Sequence, residues 1–453
     1  MKKDLINGNI FNTLVLYSMP LVVTNVVQVL FHSVDVAVLS FMAGDDSVAA
    51  VGACGPIVAV LISLCTGFST GANILIARRI GARDEKGVKR ATGTALVLGV
   101  ILGLILMVIT LVFARQFLIL MKCQPDVIDM ATVYMRIYFL GMPIIMTNNF
   151  IIGILRASGD SVKPMKFLLA SGFINVILNV FFVGVFRIEV EGVAIATVLS
   201  SLVSLICGLI ELLKNKGMCR VEKKHLRIRR QEFFKMFQIA VPASMGGLCY
   251  YVANLFASAA VNSMSTESMT ANAMAGQLDG VIYTVGNAIA AATMTMVGQN
   301  FGACRFDRIK KTIITSVVYV SAVSILLGVV FVVFAEPLLG ILTDSQAVIE
   351  LAKNRMTFLC LTYFVTSIME VFSFSLNSLG RQREVLVVCI ICGFAIRSMW
   401  IWFMWPLHKT LAMLFASYTV SALVAILCYL VIYSITVKKL KKSLYNINQG
   451  MVS

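Results

Sequence analysis

Asp35 stands inside QVLFHSVDVAVLSFMAG, residues 28–44, a stretch otherwise apolar enough to cross a membrane. An aspartate at the centre of such a helix costs roughly 2.5–3.5 kcal/mol, so its presence calls for a compensating role. Two chemistries suit it. A desolvated carboxylate can exchange protons near neutral pH, or it can stay ionised around an alkali cation. Asn175 and Asn179 in GFINVILNVFFVG are four residues apart and therefore share one helix face. Thr197 in EGVAIATVLS adds a hydroxyl. Amide and hydroxyl oxygens can replace a cation's hydration shell or hydrogen-bond a protonated acid. Taken alone, Asn175, Asn179 and Thr197 read as polar contacts between helices. Asp35 reads as functional, because ionisable groups within a bilayer are expensive to keep. His32, one turn earlier, reads as an interfacial or packing residue.

Two further acids sit in apolar surroundings, Asp279 in GQLDGVIYTVG and Glu370 in SIMEVFSFSLN. A carboxylate among aromatic neighbours is a receptor for organic cations, so each is a candidate for the substrate path as well as for a structural contact. Met264, Met269, Met274, Met294 and Met296 lie close together, and deformable side chains suit a promiscuous cavity, although packing accounts for most of them. The spacing of Cys389 and Cys392 in CIIC matches metal or redox motifs, but the stretch is apolar and reads as packing. The three histidines are far apart in sequence, and no metal site is expected. ARRIGARDEKG and NFGACRFDRIKK read as helix ends rather than phosphate loops. The paired acids Asp45 and Asp46 lack the further acidic partner that a metal-dependent prenyl transferase needs. There is no HExxH and no nucleophile paired with a base, so an enzyme is the remote reading.

The elements that must hold these groups follow from composition. Of 453 residues, 59 % are hydrophobic and 13 % charged, with mean hydropathy +0.90. Soluble domains carry about 25 % charged residues, so the chain is expected to be an all-α integral membrane protein. Twelve apolar runs lie near 11–40, 51–77, 92–114, 131–155, 166–186, 192–213, 237–262, 270–299, 312–335, 355–378, 385–405 and 410–437. The first is too long for a cleaved signal core and reads as a retained helix. With the N-terminus placed in the cytoplasm, the cytoplasmic segments hold most of the 38 Lys and Arg residues, Lys2 and Lys3 among them. That is the positive-inside pattern, and it puts both termini in the cytoplasm. Orientation thus accounts for the net charge of +16, and no nucleic-acid partner is implied.

The chain reads as a duplication. IGARDEKGVKRA (80–91) matches FGACRFDRIKKT (301–312), VFARQFLILMKCQPDVI (112–128) matches VFAEPLLGILTDSQAVI (333–349), and LRASGDS (155–161) matches LNSLGRQ (376–382), all at an offset of 221. At that offset Glu370 corresponds to Asn149, so the halves differ electrically. The expected organisation is a six-helix bundle over 1–213, a basic cytoplasmic linker over 214–235, a second six-helix bundle over 236–437 and a cytoplasmic tail over 438–453. An even number of helices per half makes the repeat parallel, and transporters place their substrate path at such repeat interfaces.

This 6+6 duplication, with Pro20 and Asp35 in the first helix, GANILIARRIGA after the second, LRASGD after the fourth, GFINVILNVFFVG in the fifth, EGVAIATVLS in the sixth and MVGQNFGA after the eighth, resembles the MATE family of multidrug and toxic compound extrusion transporters. The likeness runs from about residue 8 to residue 437 and is nearer the DinF and MepA-like branch than the NorM branch. The resemblance implies alternating access and export of hydrophobic, mainly cationic organic compounds in exchange for inward H+ or Na+. It implies a cation-coupling pocket of Asp35, Asn175, Asn179 and Thr197, with Na+ as the only metal at issue, and a first helix that bends at Pro20. Many relatives carry a second carboxylate where this chain has Asn179. The expected protein is a cofactor-free, monomeric, multi-pass protein of the cell membrane whose partners are small organic cations and the bilayer. The rival reading is a flippase for lipid-linked saccharides, which needs cationic residues in its cavity; Arg136 and Arg397 keep it open.

Overall fold

The computed structural model describes residues 4–121, 123–214, 217–341 and 343–450, with the side chains of Asp45 and of 440–450 outside the description. Lys2, Lys3, and Asn215 and Lys216 of the basic segment lie outside the described residues. Backbone groups within a bilayer must be satisfied internally, and among the described residues the regular structure is helical throughout. In order these are α1 (Ile10–Met42), α2 (Asp45–Gly81), α3 (Glu85–Leu120), α4 (Ile128–Leu140), α5 (Met142–Ala157), α6 (Val162–Asn179) and α7 (Val190–Lys214). Then follow α8 (Arg230–Asn262), α9 (Thr266–Gly302), α10 (Phe306–Val333), α11 (Ala335–Gly340), α12 (Gln346–Ser378), α13 (Gln382–Val388), α14 (Arg397–Met399) and α15 (Leu411–Gly450).

Eleven spans are long and apolar enough to cross a membrane, and α4 with α5 makes a twelfth, bent by 49°. That span is expected as the single run 131–155. It breaks at Gly141, and Pro143 at the start of α5 supplies the cause, since proline removes a backbone donor. Wider, π-helical turns follow α6 at Val180–Val185 and recur in the second half at Cys389–Ile396 and Trp400–Met404.

The duplication is visible in the backbone. The left-handed residues Arg83 (φ 55°) and Cys304 (φ 56°) stand 221 positions apart, as do Gly159 (φ 83°) and Gly380 (φ 87°). Gly159 and Gly380 close the helix ends before α6 and α13, where positive φ costs glycine little.

The chain forms two compact units. The first comprises Met1–Gly8, Val15–Ser244 and Gly302–Cys304; the second comprises Asn9–Leu14, Met245–Phe301 and Arg305–Ser453. In the first unit α5 packs against α2, α3 and α7, and α6 lies along α7. The basic segment and the start of α8 dock on the same unit. Glu232, 1 % exposed, receives Arg79 Nη2 at 2.5 Å, Lys89 Nζ lies 3.1 Å from Glu222, and Arg229 N donates to Thr94 Oγ1 at 3.3 Å. In the second unit α12 packs against α10 and α15. Ala271, Ala275, Ile282, Val348 and Met356 contribute to its core.

Candidate functional site

Asp35 lies on α1 where this helix approaches α6. A Cβ on Gly172 would collide with the Phe31 ring as it stands, so the glycine leaves room for that ring between the two helices. One turn of α6 further on, Asn175 and Asn179 are buried, and Asn179 Nδ2 donates to Asp35 Oδ1 at 2.5 Å. The same nitrogen lies 3.3 Å from Asn175 Oδ1, and Asn175 Nδ2 lies 3.5 Å from Thr197 Oγ1 on α7. Thr197 in turn donates to Val193 O at 2.9 Å. The four side chains named from the sequence thus form one connected row across three helices.

Two features of this row bear on what it could bind. Asp35 has no cationic side chain within ion-pair distance among the described residues; its donor is a neutral amide. Asn179 Oδ1, fully buried, accepts no hydrogen bond from any described residue. A carboxylate beside an unused carbonyl oxygen is an arrangement that a proton or an alkali cation would complete. His32 lies on the exposed side of α1. Pro20 lies within α1, which runs as one helix from Ile10 to Met42, and Thr24 Oγ1 donates to Pro20 O at 2.6 Å.

The second unit separates the two other acids. Asp279 is 1 % exposed and receives Arg355 Nη1 at 2.7 Å and the Tyr363 hydroxyl at 3.3 Å. The Arg355 guanidinium also stacks 4.5 Å from the centre of the Phe415 ring. Glu370 is buried too, but its partners are neutral: Asn287 Nδ2 lies 3.3 and 3.2 Å from its two oxygens, and the Tyr283 hydroxyl also hydrogen-bonds it. Sequence reasoning missed Arg355, Asn287 and Glu232 as partners. Arg355 left a signal, as a lone cation in the apolar run of α12; Asn287, in an alanine-rich stretch, left none. Cys389 and Cys392 are buried free thiols, with Cys389 Sγ 3.6 Å from the Tyr429 hydroxyl. Arg136 lies on the exposed side of α4, whereas Arg397 is 4 % exposed.

The family model for MatE matches residues 20–181 and, a second time, 242–402. The chain belongs to the MatE family. Its two matched segments correspond to the two halves of the duplication. The MatE chain is 25 % identical to the probable multidrug resistance protein YoeA of Bacillus subtilis, over 91 % of this chain and 88 % of the relative. It is also 25 % identical to an FAD transporter of Shewanella oneidensis, over 76 % of this chain and 77 % of the relative. Among solved structures, the outward-facing conformation of a multidrug resistance MATE family transporter superposes with a TM-score of 0.90 at 21 % identity, covering 97 % of this chain and 98 % of that one. The MatE chain therefore has the MATE transporter fold and is a multi-pass membrane protein.

Proposed function

We propose that this MatE chain is a secondary active exporter of hydrophobic organic cations, driven by inward H+ or Na+ through Asp35. The observation that carries the reading is the Asp35–Asn179–Asn175–Thr197 row, in which, among the described residues, the carboxylate lacks a cationic partner and a buried amide oxygen lacks a donor. Binding or release of an ion there changes the charge at the meeting of α1, α6 and α7. A change of charge in a low-dielectric setting shifts the balance between two conformations. The coupling ion acts as a co-substrate, and no resident cofactor enters the scheme. Glu370, whose partners Asn287 and Tyr283 are both neutral, is the second-unit acid suited to meet a cationic solute; Asp279 is occupied by Arg355. The protein is proposed to work as a monomer in the cell membrane with both termini cytoplasmic.

The test uses purified protein in liposomes loaded with ethidium, with a proton or a sodium gradient imposed separately. Dye movement under one gradient names the coupling ion. The Asp35→Asn variant is expected to retain its melting temperature in detergent and to lose gradient-driven movement. Normal driven transport by that variant would remove Asp35 from the mechanism. No movement under either gradient would favour the lipid-linked saccharide reading.

A further inference from the structure

The second unit carries, on the three helical segments equivalent to those of the Asp35 row, a group of opposite charge. Arg397 on α14 is 4 % exposed. Its Nε donates to Ser421 Oγ at 3.1 Å, and its Nη1 donates to Asn254 Oδ1 at 3.4 Å. The guanidinium carbon lies 4.0 Å from the centre of the Tyr418 ring and 5.1 Å from that of Tyr250. The Tyr418 hydroxyl donates to the same Asn254 oxygen at 2.8 Å. Among the described residues no carboxylate lies within ion-pair distance of Arg397, whereas the other buried arginine of this unit, Arg355, has Asp279.

The repeat relates the two clusters. At the offset of 221, Gly393 stands where Gly172 does, Tyr418 where Thr197 does and Ser421 where Ser200 does. Arg397 falls one residue past Ile396, the counterpart of Asn175. Asn254 lies on α8, the counterpart of α1. One half of the duplication centres its cluster on a carboxylate and the other on a guanidinium.

An arginine buried within a membrane span is costly unless its charge is answered. Ring faces, a hydroxyl and an amide oxygen answer it only in part. The planar fork of arginine matches carboxylate and phosphate oxygens. Asn254 is exposed and Tyr418 partly so, which gives the buried guanidinium an approach from the surface of the unit. We infer that Arg397, Asn254, Tyr250 and Tyr418 form a receptor for an oxyanion, the carboxylate or phosphate of an amphiphilic solute or of a lipid headgroup. The solutes handled by this protein then include anionic and zwitterionic compounds as well as cations. This extension rests on the exporter reading above, so binding and transport are measured apart.

Full-length protein in detergent is titrated against carboxyfluorescein and, separately, ethidium, with fluorescence anisotropy as the readout. Wild type is expected to bind both dyes. Removing a charge-assisted contact costs about ten-fold or more in affinity, so Arg397→Gln should weaken carboxyfluorescein by that factor and change ethidium by less than about two-fold. Arg397→Lys should fall between. Should Arg397→Gln fail to fold, Asn254→Ala, at an exposed position, is expected to weaken carboxyfluorescein alone. Unchanged carboxyfluorescein affinity in a folded Arg397→Gln variant, or a parallel loss for both dyes, overturns the inference. Competition by phosphatidylglycerol but not phosphatidylcholine assigns the site to a lipid headgroup. Gradient-driven carboxyfluorescein movement in phosphatidylcholine liposomes assigns it to a solute. Ethidium export without carboxyfluorescein binding overturns the site and leaves the exporter reading intact; carboxyfluorescein binding with no driven movement of either dye does the reverse.

Discussion

Asp279 and Glu370 look alike along the chain, each a lone acid in an apolar helix, yet their neighbours differ. Asp279 holds Arg355 at 2.7 Å with both side chains nearly inaccessible, whereas Glu370 meets neutral groups, the amide of Asn287 and the hydroxyl of Tyr283. Removing one partner of a buried pair strands the other charge and costs about 3–5 kcal/mol, while removing both is close to neutral. Asp279→Asn is therefore expected to lower the melting temperature of the detergent-solubilised protein markedly. The double variant Asp279→Asn/Arg355→Met should recover most of the loss and keep ethidium export. A double variant as unstable as the single one would overturn the stranded-charge account, and one that is stable but inactive would point to a direct role for Asp279 in transport. The same comparison explains why Asp35 is singled out among the acids: its one donor is neutral and its surroundings keep an oxygen unused.

Among elements, the start of α3 shows how the duplicated halves use one backbone shape differently. Asp84 adopts φ −81° and ψ 79°, and its Oδ1 accepts from Gly87 N at 2.8 Å as a helix cap. Its counterpart Arg305, φ −91° and ψ 69°, begins α10 with no side-chain cap, because a guanidinium has no acceptor to offer. The Gly87 amide, together with Arg79, holds the Asp84 carboxyl below the usual range. A carboxyl whose folded pKa is depressed stabilises the fold above the unfolded value of about 3.9, and that contribution disappears as the pH falls through the folded value. Asp84→Ala should cost about 1 kcal/mol at neutral pH. The melting-temperature gap to wild type should persist at pH 5 and close only below about pH 4. A gap that closes at higher pH would mean that the cap is not what Asp84 supplies. In the docked basic segment, hydrogen bonds from Lys224 and Lys89 push Glu222 down to about 2, so that ion cluster keeps its charge across the same range.

At the scale of the molecule, orientation follows from where the cations lie. The segments after α2, α5, α7, α9, α12 and α15 are basic, which proposes one face for all of them. Cys304 offers a direct check, being an exposed free thiol in the segment between α9 and α10. A membrane-impermeant maleimide should label it in inside-out vesicles and not in intact cells, with Cys304→Ser as the control. Labelling in intact cells would reverse the proposed topology. The two units also differ in their central charges, a carboxylate row in the first and the Arg397 cluster in the second.

Some of this was readable without any coordinates. Apolar run length, cation placement and the 221-residue repeat are properties summed along the chain, so the spans and the duplication are legible in the sequence. The pairing of Asn175 with Asn179 is legible too, since a spacing of four places two side chains on one helix face. The break at Gly141 could have been read from Pro143 but was hidden inside an otherwise uniform apolar run. Which acid acquires a cation is a different matter. Arg355 lies 76 residues from Asp279, Asn287 lies 83 from Glu370, and Glu232 lies 153 from Arg79. Those partnerships depend on how each helix is turned about its axis and on which helix packs beside it. Hydropathy does not record that rotation; packing decides it.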